Sequence, residues 1–76
     1  MIEIDVKRLN EEKYEYLSEL FNFPDYFGNN LDALFDCLTD RRELSVIYND
    51  FLSTNESSKK IIKVINKAVH ELYDER

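Results

Sequence analysis

Asp32 and Asp36 stand four residues apart in Leu31-Asp32-Ala33-Leu34-Phe35-Asp36-Cys37-Leu38, a spacing that stacks two side chains on one face of a helix. Two carboxylates placed this way can divide the roles of general acid and base, or can together present negative charge to a cationic partner. Catalysis asks for more than the pair: a concave site, and a nucleophile with its base nearby. Neither is visible here. The acids fall on a convex helix surface, and no His, Ser or Cys flanks them in a nucleophile-and-base pattern. Cys37, the only cysteine, sits between Ala33 and Leu38 on the side expected to be buried, where a packed thiol is the ordinary outcome. One Cys and one His (His70) make neither a disulfide nor a soft-ligand cluster. No metal or cofactor site is expected, and the chain reads as a binding protein rather than an enzyme.

The helix that must carry this pair runs from Leu31 to about Asp40, with Asn30 placed to cap it. At about 100° per residue, Leu31, Leu34 and Leu38 share one side, Asp32, Asp36, Thr39 and Asp40 the other, and Phe35 the border. The wet face is thus acidic with an aromatic rim. Like charges four apart cost an isolated helix a few tenths of a kcal/mol, so the pair is not there to stabilise the helix. Ahead of it, Asp25-Tyr26-Phe27-Gly28-Asn29 forms a loop whose single Gly28 is suited to a positive φ or a close approach.

Around this segment, Ile2, Ile4 and Val6 alternate with Glu3, Asp5 and Lys7 and predict a first strand. Asn10 is a candidate cap for a helix whose apolar stripe is Tyr14, Leu17, Leu20 and Phe21, with Leu9 able to staple onto Tyr14. Pro24 predicts the end of that helix near Phe23. Leu44 to Tyr48 reads as a second strand covered on both sides. A polar loop follows, and Ser57 is a candidate cap for a last helix with Ile61, Ile62, Val64, Ile65, Ala68, Val69 and Leu72 inside and Lys59, Lys60, Lys63 and Lys67 outside. Strand, two helices, strand, helix is the order of an α/β domain with parallel strands. The sequence ends at Asp74-Glu75-Arg76 without a third apolar strand, which predicts an open sheet edge near the C-terminus and self-association through it.

Seventy-six residues, 43% apolar and 34% charged with one Gly and one Pro, fit one folded domain spanning residues 1–76. An acidic N-terminus and the absence of any run of roughly 18 apolar residues predict a soluble cytoplasmic protein without a membrane partner. A net charge of −6 argues against nucleic acid. Between residues 11 and 40 lie Glu11, Glu12, Glu15, Glu19, Asp25, Asp32, Asp36 and Asp40 against Lys13 alone. Such acidity either keeps helix faces solvated or draws in basic proteins, and composition does not choose between the two.

The run from Phe23 through Leu38 resembles the signature segment of the barstar family, intracellular inhibitors of barnase-type ribonucleases, and the element order fits that family's α/β fold. The resemblance implies that the loop and second helix plug the active site of a basic extracellular-type ribonuclease, with Asp36 in the place of a substrate phosphate. It further implies Asp32 as a second inhibitory acid, Tyr26 as the ring that packs on the enzyme's catalytic base, Asn30 and Leu31 as adjoining contacts, and Gly28 as the point of close backbone approach. Phe35 stands where the family usually carries Trp. Arg41 and Arg42 replace neutral or aromatic residues, and Lys67 falls at the place of a family acid. These departures keep open a second reading, a barstar-like module that binds a different basic protein.

Overall fold

The computed structural model describes residues 1–73. Strand β1 (Ile2–Asp5) leads into helices α1 (Val6–Glu12) and α2 (Tyr14–Phe21); helix α3 (Leu31–Thr39), strand β2 (Val46–Asn49), a 3-10 turn (Phe51–Ser53) and helix α4 (Glu56–Tyr73) follow. The strands are parallel neighbours, in register from Ile2 opposite Val46 to Asp5 opposite Asn49. The α/β order expected from the sequence is the order found.

Strand β1 is two residues shorter than its alternation suggests, ending at Asp5 rather than Lys7. Val6 is fully buried as the pattern requires, but its backbone is already helical. The cause is Asp5, whose carboxylate accepts the amide N–H of Lys7 at 3.1 Å and caps α1 five residues ahead of the expected cap at Asn10. The first helix is also two helices: Lys13 takes φ 52° and ψ −124° and breaks the path. Asn10 lies inside α1 and caps nothing there. Its carboxamide reaches across the fold instead, donating to the Ser53 carbonyl at 2.8 Å and accepting from the Asn55 amide at 3.1 Å.

Helix α2 stops at Phe21, where Asn22 adopts the left-handed conformation, φ 57°, close to the stop predicted from Pro24. Helix α4 begins two residues earlier than Ser57 would set it. Asn55 is the cap, its side-chain oxygen accepting the Ser58 amide at 2.9 Å.

One core joins all the elements. Ile4, Val6, Leu9, Leu17, Leu34, Leu38, Leu44 and Ile65 are closed to solvent, each contributing about 1.5–3 kcal/mol of apolar burial. Helix α3 packs principally on α4, so the Leu34 and Leu38 side of α3 is spent on the core and its other side is left to solvent. The sheet is covered on one face only. Ile47 of β2 is 46% exposed on the outer face beside Glu3, which corrects the expectation of a strand covered on both sides. Its apolar run mimics a doubly buried strand because Val46 and Tyr48 face the helices while Ile47 does not. Among the described residues the sheet has two strands. A shallow hollow of ≈ 380 Å³ between β2 and the end of α4 is lined by Val46, Tyr48, Val69 and Tyr73. The expected ending at Asp74-Glu75-Arg76 lies outside the described residues.

Candidate functional site

The loop between α2 and α3 is hung from the core by aromatic rings. Phe23 stacks on Phe21 with centroids 5.5 Å apart and meets Phe27 at 4.6 Å, while Tyr14 approaches Phe27 edge-on at 6.0 Å. The Phe27 amide donates to the Pro24 carbonyl at 3.0 Å and closes a turn. Phe27 is 9% exposed and its neighbour Tyr26 87%. One ring anchors the loop, the other is displayed. Sequence reasoning left Phe27 as a loop residue. The signal for it was the Phe23-x-x-x-Phe27 spacing around Pro24, two apolar rings at the ends of a turn.

Gly28 does not take a positive φ; that conformation falls on Asn29, φ 52°. An Asn side chain tolerates the left-handed region well enough to release the glycine from it. What favours Gly28 is space, because a Cβ there would come 3.0 Å from Asn30 Nδ2 and the carboxamide would have to give by a few tenths of an ångström. The Asn30 carboxamide uses both ends: Nδ2 donates to the Gly28 carbonyl at 3.2 Å, and Oδ1 accepts the Ala33 amide at 2.7 Å. One side chain therefore ties the loop to the first turn of α3, as the expected cap does and more.

On α3, Leu34 and Leu38 are buried, Leu31 and Phe35 are half-buried at the core margin, and Asp32, Asp36 and Asp40 are exposed. Among the described residues these three carboxylates make no ion pair or hydrogen bond. Asp32 is in the first turn, where the helix field favours it; Asp36 and Asp40 lie toward the other end, where it does not. The fold thus displays unanswered negative charge on a capped helix, and the exposed ring of Tyr26 on the loop that precedes it. Thr39, expected on the wet side, is half-buried and donates its hydroxyl to the Phe35 carbonyl at 2.8 Å.

Cys37 is half-buried, and burial, followed by the charges of Asp36 and Asp40, pushes its thiol above the usual range. No group of His, Cys, Asp and Glu able to hold a metal ion occurs among the described residues.

The basic residues divide. Arg41 is turned onto α2, with its guanidinium 5.4 Å from the Phe21 ring centroid and Nη1 3.5 Å from the Phe21 carbonyl. Arg42 is exposed. Lys67 Nζ lies 5.4 Å from the centroid of Phe35, which sets a positive charge at the rim of the acidic face.

The chain matches the family described as Barstar (barnase inhibitor) over residues 1–76. A curated protein of Bacillus subtilis (strain 168), named "Putative ribonuclease inhibitor YrdF", is 37% identical over 71 residues, covering 86% of this chain and 78% of that protein. No solved structure gives a significant match. With a family match along its whole length and a relative of this identity, the chain belongs to the barstar family.

Proposed function

We propose that this protein inhibits a basic ribonuclease of the barnase type, one to one, by inserting the loop and α3 into the enzyme's active site. The observation that carries the reading is the unpaired state of Asp32 and Asp36 on a helix capped by Asn30. A nuclease cleft is built for phosphate and lined with Arg and Lys. A carboxylate held rigidly in a phosphate's place meets those cations at little ordering cost. Asp36 is the phosphate mimic and Asp32 its second acid. Tyr26 stacks on the catalytic base, and Gly28, Asn30, Leu31 and Phe35 complete the contact. The protein performs no catalysis of its own and needs no cofactor. No helix among the described residues is long and apolar enough to cross a membrane. As an inhibitor of the barstar family the protein acts in the cytoplasm.

Titrating the purified chain into barnase while following RNA cleavage tests this directly. The expected result is stoichiometric inhibition, relieved by competing anionic nucleotide. Inhibition that nucleotide does not relieve would place binding away from the active site.

A second reading is favoured by one contact. Lys67 over Phe35 puts a cation beside the acids, and a basic protein that is not a nuclease, with a carboxylate facing that corner, would suit it. Retained binding to a basic partner that has no RNA-cleaving activity supports this reading over the first.

A further inference from the structure

Lys67 is held at the margin of the acidic face. Its ammonium lies 5.4 Å from the centroid of the Phe35 ring, and the two side chains come from helices locked together beneath them. Leu34, next to Phe35 on α3, and Ala68, next to Lys67 on α4, are both closed to solvent. Phe35 in turn sits between Asp32, one turn back on α3, and Asp36, the next residue. Lys67 itself is exposed. Among the described residues it makes no ion pair, although Glu71 follows it one turn along α4 and three carboxylates stand on α3. Its positive charge is as unanswered as the negative charges beside it.

Two roles fit an ammonium on a ring. A lysine can lay its methylene stem over an aromatic to cover apolar surface, the charge being carried along, or the charge can be what the position serves. The π face attracts the ammonium, so the charge is positioned rather than left to swing free. A partner that covers Asp32, Phe35 and Asp36 therefore meets Lys67 as well. If that partner is basic to its edge, like charges are brought together and the contact is penalised; if it carries a carboxylate at that corner, the same ammonium makes a charge-assisted hydrogen bond. A single residue then favours one charge pattern and opposes the other, and specificity is that difference.

We infer that Lys67 is a specificity-determining residue. It selects, among basic ribonucleases, one whose phosphate-binding cleft has an acidic side chain at the edge that faces Phe35, and it disfavours enzymes that are basic there. The inference rests on the plug reading of α3 and narrows its partner from a uniformly basic cleft to one with a mixed rim.

Inhibition constants measured on barnase, and on barnase variants in which each solvent-facing residue around the cleft is changed singly to Glu, test it. Three inhibitors are compared: the wild-type chain, Lys67→Glu, and Lys67→Met, which keeps an apolar stem over Phe35 and removes the charge. Thermal melts check that all three are equally folded. At one enzyme position the added Glu should tighten binding of the wild type and weaken that of Lys67→Glu, shifting their relative affinity by about tenfold or more, with Lys67→Met in between. Enzyme substitutions that shift all three inhibitors equally at every position would overturn the inference and leave Lys67 as a cover for Phe35. Asp36→Asn separates this failure from that of the plug: inhibition that Asp36→Asn loses, but that is blind to the charge at residue 67, overturns the inference alone. If no chain inhibits barnase or any of its variants, the plug and the inference fall together.

Discussion

The acidic third of the chain divides into two regions of the same sign: on α1 and α2 two of the four glutamates, Glu12 and Glu19, meet Arg8 while Glu11 and Glu15 do not, and on α3 none of the three aspartates meets a cation among the described residues. On α1 and α2, Glu12 is held by Arg8 at 2.8 Å and Glu19 approaches the same guanidinium at 3.5 Å, while Arg8 itself lies 4.6 Å over the Tyr16 ring. The Arg8 hydrogen bond keeps the Glu12 carboxyl below the usual carboxylate range, and the Arg8 guanidinium is raised further above its own. On α3, Asp32, Asp36 and Asp40 meet no cation among the described residues. Charge that is answered within the chain ties α1 to α2. Charge left unanswered on a capped helix is available to a partner, and the proposed function uses the α3 acids in that way.

The largest effect expected of this contrast is at Asp36. Asp36→Ala should weaken ribonuclease binding by about 2–5 kcal/mol, the usual cost of removing one partner of a buried, hydrogen-bonded charge pair at an interface. Isothermal titration calorimetry reads the loss, and thermal stability should hardly change. Next is Asn30, which joins the two halves of the surface. Asn30→Ala should destabilise the fold by about 1 kcal/mol through the lost cap, measurable by urea denaturation, and should weaken binding as well by freeing the Gly28 loop.

The position of that surface was legible in the sequence for a physical reason. A nine-residue helix with Leu31, Leu34 and Leu38 on one side leaves Asp32 and Asp36 only one direction, and Asn30 directly ahead of it is the cap that its position suggests. The parallel strands were legible from period-two alternation and element order. Features that depend on long-range partners were not. Asn10 looks like a helix cap locally and becomes a clamp only because Ser53 and Asn55 arrive beside it. Phe27 becomes a core ring only because Tyr14 and Phe23 converge on it. Ile47 is apolar and faces water, which no strand propensity distinguishes from burial. Arg41 reads as a charge that would repel a basic enzyme until its stacking on Phe21 turns it aside.

Smaller effects should come from the answered region. Glu12→Gln should leave ribonuclease inhibition unchanged and lower stability slightly. Because the folded Glu12 carboxyl is depressed, the Arg8 contact contributes stability above the unfolded carboxylate range, and that contribution is lost as pH falls through the folded value. Acid titrations followed by circular dichroism should show the variant less sensitive there than the wild type.

The smallest effect lies outside both regions. Burial pushes the Tyr48 hydroxyl up from its ordinary 10.0 to about 12. A raised folded value means that the native chain holds this proton more tightly, so its stabilising contribution is intact below about pH 10 and disappears as pH rises through about 12. Tyr48→Phe should flatten that alkaline loss in a series of urea melts, leaving inhibition untouched.

The contrast between the two acidic regions is tested most directly by one paired titration: inhibition of barnase by Asp36→Asn and by Glu12→Gln, each removing one negative charge without removing the side chain. Loss of inhibition in the first with full inhibition in the second is the predicted result. Equal inhibition by the two variants would contradict it, because the acidity would then be acting as a diffuse field and not as a plug.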